Sequence, residues 1–415
     1  IDLVFLAISN ISFQRKKEII NYLSQFNIKC KVIPTLNELV SRNISLKDFK
    51  NIHISDLIKR NYIFNNDKIR NEINKKVVLI TGAGGSIGSE IVNQIIKLNP
   101  NTIIAIDNSE YNLYKLEISL KPQIDKLKDT KVIFKICDIR NKSQIERIFN
   151  SFKPQYLFHT AAYKHVPILE DNIIEAITNN FMSVVSLIDV AIKHNLGKFV
   201  YISSDKAVRP TNIMGATKRL SEIYIQSICN KEINKSLVTQ FAIVRFGNVI
   251  GSAGSVLPLF NQQISNGGPL TITHKDIERY FMTIPEAVGL VLETIILVKK
   301  VNIFVLDMGK PIKIIDLAKK IVNLSGLQIK DELNPNGDIE LKIIGLRPGE
   351  KLYEELFIDD SYLNTTHENI YEAREKIIDY NTIIEIVKKL KLITEEQREK
   401  EIPDLIEKIV DAKFK

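Results

Sequence analysis

A glycine-rich segment between an apolar strand and an amphipathic helix is the feature that most restricts the fold of this chain. The strand pattern of residues 77–80 leads into TGAGGSIG (residues 81–88), and residues 87–98 continue with helical periodicity. Glycines at 82, 85 and 88 allow a tight turn, a close approach of backbone to a pyrophosphate, and close packing of helix on strand. The sequence therefore predicts that a dinucleotide binds where this strand meets this helix.

An acidic residue at the end of the next strand indicates which dinucleotide binds. Asp107 follows Gly88 by 19 residues, where a carboxylate can accept the adenosine ribose hydroxyls. It would repel a ribose phosphate, and Asn108, Ser109 and Glu110 offer no arginine to hold one, so NAD is favoured over NADP. Asp138, after the third strand, is a candidate for the adenine amino group. The alternative is a glycine turn beside a surface aspartate.

Further apolar strands alternate with helical segments, at residues 102–106, 132–136, 156–159, 199–203 and 242–246. This alternation predicts an α/β fold with a doubly wound parallel sheet. After about residue 248 the alternation stops in a stretch rich in glycine and proline. We therefore predict four parts: a small N-terminal α/β domain (1–70), the dinucleotide-binding domain (71–247), a smaller, mainly substrate-binding lobe (248–367) and C-terminal helices (368–415).

Composition excludes several classes of protein. The net charge of +8 comes from basic residues interspersed with acidic ones, and no nucleic-acid-binding module is visible, so an anionic small substrate explains it better. The three cysteines have no metal-ligand spacing, which predicts no metal site and a reducing compartment. The longest apolar run, near residues 288–298, contains Glu293 and is shorter than the ~20 residues that span a bilayer.

The residues that follow the strand at 199–203 carry the candidate chemistry. Ligands of open α/β sheets bind beyond the carboxyl ends of the strands, so Asp205 and Lys206 should project into that crevice. Met214 and Lys218 share one face of the next helix. Nicotinamide enzymes of this layout normally place an acid/base tyrosine four residues before the lysine, and methionine has no proton to exchange. Proton transfer should therefore fall to Asp205 and Lys206, unless they are a solvated loop pair and Met214 is ordinary core.

Six motifs together resemble the extended short-chain dehydrogenase/reductase superfamily, with its Rossmann domain, and within it the nucleotide-sugar 4,6-dehydratases of capsule and polysaccharide biosynthesis. They are TGAGGSIGSE (81–90), HTAAYKHVPILED (159–171), SSDKAVRPTNIMGATKR (203–219), VRFGNVIGSAGSVLPLF (244–260), RYFMTIPEA (279–287) and GLRPGEKLYEEL (345–356). The branch with methionine in place of tyrosine resembles the UDP-N-acetylglucosamine 4,6-dehydratases that retain the configuration at sugar carbon 5.

The resemblance implies a mechanism and roles for the motif residues. Tightly bound NAD removes hydride from sugar carbon 4 and returns it to carbon 6, so no net redox change occurs. Lys206, its pKa lowered beside Lys218, would take the carbon 5 proton, and Asp205, kept protonated by burial, would protonate the departing carbon 6 hydroxyl. Ser204, with a water molecule, would replace the missing tyrosine at the carbon 4 hydroxyl. The roles of Asp205 and Lys206 could be exchanged, and Lys218 would bind the nicotinamide ribose.

The resemblance also implies a wider set of contacts. For the cofactor these are Ser86, Ile87, Ser109, Ile139, Ala161, Ala162 and Tyr163. For the substrate they are Lys164, His165, Asn248, Ser255, Val256, Arg279, Arg347 and Glu350. The two arginines suit a diphosphate, Asn248 a phosphate, and Glu350 the uridine ribose.

The chain starts at Ile1 inside a strand-like run, which predicts a fragment of a longer protein. Because members of the methionine branch commonly carry N-terminal membrane helices, we expect a cytoplasmic enzyme that in full length lies at the inner face of the membrane. A homo-oligomer is expected, since helices of this fold often pair subunits. Two other functions stay open: a carbon 5-inverting dehydratase or 4-epimerase on the same sugar, and an NAD-binding regulator without turnover.

Overall fold

The computed structural model describes residues 3–6, 13–23, 26, 28–32, 50–51, 60, 66–230, 237–252, 254–359, 361–412 and 414. Its contacts divide the chain into two compact units, each discontinuous in sequence. The larger unit comprises residues 62–247, 284–308 and 348–415, and the smaller one comprises residues 1–61, 248–283 and 309–347. The sequence-based boundaries, in contrast, were continuous.

The described strands are, in chain order, β1 (Leu3–Leu6), β2 (Lys29–Val32), β3 (Lys50–Asn51), β4 (Val77–Thr81), β5 (Thr102–Asp107), β6 (Lys131–Ile136), β7 (Tyr156–His159), β8 (Lys198–Ile202), β9 (Gln240–Arg245), β10 (Asn248–Ile250), β11 (Leu270–Ile272), β12 (Glu278–Arg279), β13 (Phe281–Thr283), β14 (Val301–Leu306), β15 (Ile312–Lys313), β16 (Ile329–Lys330), β17 (Ile339–Ile343), β18 (Tyr362–Asn364) and β19 (Ile370–Ala373).

The described α-helices are α1 (Phe13–Leu23), α2 (Asn66–Ile73), α3 (Ser86–Ile95), α4 (Glu110–Ile124), α5 (Lys142–Phe152), α6 (Val166–Glu170), α7 (Ile173–Ile177), α8 (Ser183–Lys193), α9 (Ile213–Asn230), α10 (Val256–Ser265), α11 (Ile284–Leu297), α12 (Ile314–Leu324), α13 (Tyr380–Glu395) and α14 (Ile402–Val410). A π-helical turn (Thr178–Met182) joins α7 to α8, and short 3₁₀ turns lie at Ile96–Leu98, Asp205–Ala207 and Glu399–Glu401.

A nine-stranded sheet forms the centre of the larger unit, in the order β18-β19-β14-β9-β8-β7-β4-β5-β6. Seven neighbouring strands of this sheet are parallel to one another: β6, β5, β4, β7, β8, β9 and β14. Strand β19 pairs antiparallel to β14, and β18 pairs antiparallel to β19 at the edge of the sheet. Strand β5 is buried at every position, because helices cover both faces of a parallel sheet. The predicted doubly wound α/β fold is confirmed.

The smaller unit contains short sheets of two or three strands. In the N-terminal part, β1 and β2 are parallel with α1 between them in the chain, and β3 pairs antiparallel to β2. The other sheets pair β10 with β13, β11 with β17 and β16, and β12 with β15. Where the structure describes it, the N-terminal segment thus contains strands and a helix, as expected of the predicted α/β domain.

The C-terminal helices, which sequence reasoning could not place, pack against α9 in the larger unit. Ile383 and Leu390 of α13 and Ile402 and Ile406 of α14 join its hydrophobic core. Residues 213–229 of α9 are buried on all sides, as expected for a helix enclosed between the sheet and other helices.

The prediction that no apolar run approaches membrane-spanning length is wrong. Within the described residues, the helical stretch Ile173–Lys193 is long and apolar enough by length and composition alone. In the most apolar part of this stretch, 56% is buried inside the protein. Phe181, Val184 and Leu187 lie in the hydrophobic core, so packing inside the fold accounts for the apolar character of the stretch. The sequence reading missed it because Glu175 and Asp189 interrupt the run.

Candidate active site

The cleft of the larger unit lies where the strand order reverses. Strands β4 and β7 are neighbours in the sheet, but the chain continues to β5 on one side and to β8 on the other. The Thr81 hydroxyl and His159 Nδ1 are hydrogen-bonded at 2.7 Å across the carboxyl ends of these strands. The Thr160 hydroxyl also donates to the Thr81 carbonyl at 2.7 Å. These contacts fix the two strand ends that, in doubly wound sheets, border the ligand.

A cavity of about 240 Å³ opens at this point. Seven of the predicted cofactor residues line it: Gly82, Gly85, Asp107, Ile139, Ala161, Ala162 and Tyr163. Five residues that the sequence did not indicate complete the lining: Asn108, Asn112, Cys137, Thr160 and Asn179. The predicted residues Ser86, Ile87 and Gly88 lie in the first turn of α3, and Ser109 is the N-cap of α4.

The residues present fit NAD. Gly85 is the N-cap of α3, and no described side chain caps that helix, so its N-terminus faces the cavity with backbone groups alone. Asp107 is 9% exposed, and its carboxylate accepts hydrogen bonds from the backbone N–H of Gly84 and of Ser109, both at 2.9 Å. The carboxylate is thus oriented and keeps lone pairs for ribose hydroxyls. The chemistry of this cleft is that expected of an NAD site.

Asp138 is held by a neighbour that the sequence reasoning did not consider. Its carboxylate pairs with the Arg140 guanidinium at 2.7 Å, and this hydrogen-bonded contact holds the pKa of Asp138 below its usual range. The residues on either side, Cys137 and Ile139, line the cavity. A contact of Asp138 with adenine stays a prediction.

Substitutions of two glycines in the loop should separate folding from cofactor binding. An alanine Cβ at Gly88 would lie 2.2 Å from the Gly82 carbonyl oxygen, whereas at Gly85 the nearest atom is 3.2 Å away. We expect Gly88→Ala to lower the free energy of unfolding by about 1–3 kcal/mol or more through overpacking. Gly85→Ala should lose less stability than Gly88→Ala and should lose NAD affinity, because Gly85 lines the cavity. Thermal unfolding and calorimetric NAD titration measure the two effects, and equal stability of both variants would contradict this reading.

The π-helical turn between α7 and α8 anchors the predicted cofactor segment 161–163. Asn180 is 1% exposed, and its side chain accepts from the Tyr163 N–H and donates to the Tyr163 carbonyl, both at 2.8 Å. Its neighbour Asn179 lines the cavity. Single π-turns inside α-helices frequently occur at functional sites. The adjacent Asn-Asn pair in an apolar helical run was the available sequence signal.

Residues Ser204–Lys206 follow β8 and Ser203, and we call them the catalytic turn because they carry the predicted acid and base. The backbone N–H of Asp205 donates to the Phe246 carbonyl at 3.1 Å, which links this turn to the chain after β9. Asp205 is 1% exposed, and its Oδ1 accepts from the Ser204 hydroxyl at 2.8 Å and from Lys206 Nζ at 3.0 Å. Asp205 Oδ2 has no hydrogen-bond partner among the described residues. Asp205 and Lys206 are therefore not the solvated loop pair that the sequence left as an alternative.

A second carboxylate, absent from the predicted set, contacts the same lysine. Glu354 Oε1 lies 3.3 Å from Lys206 Nζ, and the Glu354 side chain is 3% exposed. The ammonium thus lies between two nearly inaccessible carboxylates, which stabilise its charge. The sequence reasoning assumed instead that Lys218 is the charge that acts on Lys206.

Met214 and Lys218 lie on α9, and Lys218 contacts the carboxyl end of β8. Lys218 Nζ donates to the Ile202 carbonyl at 2.9 Å and lies 4.8 Å from the centre of the Tyr201 ring. Burial lowers the pKa of Lys218 to about 8. Burial, and then the charge of Lys218, lower the pKa of His159 to about 3, so this imidazole is neutral. Met214 is 4% exposed and belongs to the hydrophobic core, so it can position but not exchange protons.

The lowered pKa of Lys218 should appear in the pH dependence of stability. The pKa of Lys218 is about 8 in the folded protein and the ordinary 10.5 in the unfolded chain, so between these two pH values the unfolded chain binds more protons at this site. The contribution of Lys218 to the free energy of unfolding should therefore rise with pH across this interval. Urea unfolding below and within the interval measures the rise, and Lys218→Met should reduce it. Lys193→Met, at an exposed lysine, is the control, and equal pH slopes in both variants would contradict the assignment.

A buried ionic cluster is hydrogen-bonded to Ser203, the residue immediately before the catalytic turn. Glu222 on α9 accepts from the Ser203 hydroxyl at 2.6 Å and from Arg245 Nε at 2.7 Å. Arg245 Nη1 also pairs with Glu375 at 2.5 Å, and Arg219 contacts both glutamates. Burial alone would raise the pKa of Glu222, but the charge of Arg245 holds it below its usual range. We call these residues (Arg219, Glu222, Arg245 and Glu375) the four-residue ionic cluster.

The predicted substrate residues divide between the two units. Lys164 and His165 are exposed ahead of α6 in the larger unit, and Glu350 is partly buried there. The smaller unit carries Asn248, Ser255, Val256, Arg279 and Arg347. Within it, Ser255 is the N-cap of α10, and its hydroxyl is buried without a hydrogen-bond partner among the described residues. An unpartnered hydroxyl at the N-terminus of a helix suits an anionic ligand.

Comparison with known proteins identifies the family. The family described as Polysaccharide biosynthesis protein matches residues 78–375. The chain belongs to this family. The capsular polysaccharide biosynthesis protein CapD of Staphylococcus aureus is 42% identical over 375 residues, which cover 89% of this chain and 60% of CapD. A UDP-N-acetylglucosamine 4,6-dehydratase (inverting) of Campylobacter jejuni is 33% identical over 307 residues, which cover 73% of this chain and 84% of that enzyme.

A solved structure supports the same family assignment. Pen from Bacillus thuringiensis is 32% identical with a TM-score of 0.65, and the match covers 74% of this chain and 92% of Pen. Membership of the family confirms the resemblance to the nucleotide-sugar enzymes of the extended short-chain dehydrogenase/reductase superfamily. The chain spans only about three fifths of the length of the curated relatives that match most of it.

Proposed function

We propose that this chain catalyses the NAD-dependent dehydration of UDP-N-acetylglucosamine to the UDP-4-keto-6-deoxy sugar, with retention at carbon 5, for surface glycan synthesis. One observation carries the proposal: Asp205 and Lys206 form a nearly buried pair after β8, while Met214 takes the position of the usual tyrosine. A reaction that needs both a base and an acid has a use for such a pair. The relative from Campylobacter jejuni, by its name, acts on the same UDP-sugar.

The residues of this chain divide the proton transfers among themselves. When bound, NAD supplies the acceptor and donor of the hydride that leaves carbon 4 and returns to carbon 6. Asp205 and Lys206 are 3.0 Å apart, so one proton shift along their hydrogen bond converts the ion pair into a neutral amine and a carboxylic acid. In that form Lys206 takes the carbon 5 proton and Asp205 protonates the leaving hydroxyl of carbon 6. Ser204, with a water molecule, passes the proton of the carbon 4 hydroxyl to solvent as hydride leaves carbon 4. Lys206 returns a proton to carbon 5 as hydride reaches carbon 6, and solvent then restores the proton of the pair. Lys218 holds the nicotinamide ribose.

Recognition of the UDP group is assigned by the chemistry of the individual residues. Ser255 and Val256 begin α10, where the unpartnered hydroxyl and the helix N-terminus suit a phosphate. Arg279 and Arg347 can form bidentate contacts with the diphosphate, and Asn248 can donate to it. Glu350 accepts the uridine ribose hydroxyls, and Lys164 and His165 contact the sugar.

The neighbouring reactions are weaker candidates for a stated reason. Epimerisation at carbon 4 needs an acid/base at that carbon alone, so it would need the missing tyrosine and leave the buried pair without a role. Inversion at carbon 5 uses the same pair, and the Campylobacter jejuni relative is named as inverting. Retention is favoured because the methionine at position 214 resembles the retaining branch. A regulator without turnover assigns no chemical role to Asp205 and Lys206, so substitution of both residues would leave its behaviour unchanged.

Incubation of the protein with UDP-N-acetylglucosamine in deuterated water distinguishes these functions. We expect a 4-keto-6-deoxy product that carries deuterium at carbon 5, with the configuration of the substrate retained there. An inverted centre would identify the inverting dehydratase, and a 4-epimer without deuterium would identify an epimerase. Unchanged substrate with intact bound NAD would reject the dehydratase proposal.

A further inference from the structure

A segment that begins within the RPGE sequence (residues 347–350) is attached to the chain between the catalytic turn and α9 (residues 206–212). We define the clamp segment as residues 349–359. The Gly349 carbonyl accepts from the Thr211 hydroxyl at 2.9 Å and from Asn212 Nδ2 at 3.1 Å. Lys351 Nζ donates to the Val208 carbonyl at 2.9 Å. The clamp segment is therefore tied to the chain just beyond Lys206 by backbone as well as side-chain groups.

Charged contacts continue this attachment on both sides of Val208. Arg209 pairs with Glu355 and with Asp359 at the exposed end of the clamp segment. Glu354, the neighbour of Glu355, contacts Lys206 instead: its Oε1 lies 3.3 Å from Lys206 Nζ, and 3% of the Glu354 side chain is exposed. The exposed pairs contribute little because water screens them. The contact between Glu354 and Lys206 is shielded, so it has the stronger effect on where the amine lies.

We propose that Glu354 is a positioning residue for Lys206: it holds the amine beside Asp205 and stabilises the positive charge that Lys206 gains when it takes the proton from sugar carbon 5. This inference rests on the proposed dehydration. The geometry provides both functions, since Glu354 Oε1 and Asp205 Oδ1 contact the same Nζ, at 3.3 and 3.0 Å. Lysine has a long, flexible side chain, and two fixed carboxylates restrict it to one location. Asp205 Oδ2 stays available for the reacting sugar.

Glu354→Gln tests the role, because the amide keeps the size of the side chain and loses the charge. We expect kcat to fall about 10- to 100-fold, the range found when a group that orients a functional residue is lost. KM should change little, because the proposed role acts through Lys206 and not on the bound substrate. Oxidation at carbon 4 precedes the step that needs Lys206, so the near-ultraviolet absorbance of reduced nicotinamide should build up in the variant and not in the wild type. Glu354→Asp, which restores the charge, should recover part of the rate.

The matched control is Glu146→Gln at an exposed pair. Glu146 lies 3.0 Å from Lys193 on the surface, so the same substitution removes the same kind of ion pair away from the site. Wild-type kcat and KM are expected for it. If Glu354→Gln matched this control in kcat, or lowered kcat without build-up of reduced nicotinamide, the positioning role would be rejected.

A double-mutant cycle tests the contact without turnover. Thermal unfolding is measured for Glu354→Gln, Lys206→Met and the double variant, and the two single losses should not add, because each removes the same interaction. Additive losses would overturn the inference even if the dehydration were established. If the wild type left UDP-N-acetylglucosamine unchanged while the losses were non-additive, the proposed function would fail, together with the kinetic part of the inference, and the contact would stand.

Discussion

Lys206→Met should lower kcat for the dehydration of UDP-N-acetylglucosamine by about 10²- to 10⁴-fold, the contribution of a positioned acid or base. Asp205→Asn should have an effect of similar size, because each residue handles one of the two proton transfers. The double variant should lose little more than either single one, since residues that act as a unit are not additive. Product formation by liquid chromatography, with incorporation of deuterium at carbon 5, measures both effects.

The control for this experiment is Lys193→Met, which removes an exposed lysine that pairs with Glu146. It should leave kcat unchanged. Bound NAD and circular dichroism establish that the variants are folded, because Lys206→Met leaves Asp205 and Glu354 without the ammonium between them. Wild-type turnover in Lys206→Met or Asp205→Asn would remove the mechanism proposed here.

The second large effect is expected at the four-residue ionic cluster. Glu222→Gln removes one of two carboxylates that neutralise Arg245, whose side chain is fully buried. Loss of one partner leaves an uncompensated buried charge, so the free energy of unfolding should fall by about 3–5 kcal/mol. Urea unfolding measures the loss. Turnover should fall as well, because Ser203, which donates to Glu222, is adjacent to the catalytic turn.

An exposed pair supplies the matched control for the cluster. Glu395 lies 3.9 Å from Lys391 on α13, and both side chains are more than half exposed. Glu395→Gln should change the free energy of unfolding by less than about 1 kcal/mol. If Glu222→Gln were as mild as Glu395→Gln, the cluster would have no special role in holding α9 to the sheet.

The strand–helix alternation predicted the parallel part of the sheet because each strand there is an apolar run that helices cover on both faces. Strand β14 was missed, because residues 301–306 follow the glycine- and proline-rich stretch at which the predicted alternation stops. The pairing of β19 with β14 was equally hidden. Antiparallel addition at a sheet edge depends on tertiary contacts rather than on local periodicity.

The parts of the candidate site that are formed by residues close in sequence were predictable, and the contacts between residues far apart in sequence were not. Asp107 and the glycines follow from their spacing after β4 and β5. Glu354 does not, because residues 206 and 354 are 148 positions apart and nothing local distinguishes Glu354 from Glu350 or Glu355. The same reason conceals the partnership of Glu222 with Arg245 and Glu375. Contacts across the chain require coordinates.

The family match and the hydrophobic core of the larger unit end at different residues. The family match ends at residue 375, yet α13 and α14 beyond it insert Ile383, Leu390, Ile402 and Ile406 into the hydrophobic core against α9. The helix that carries Met214 and Lys218 thus takes one of its walls from residues that the family signature does not include. The family model ends at residue 375, but the hydrophobic core of the larger unit includes residues beyond it.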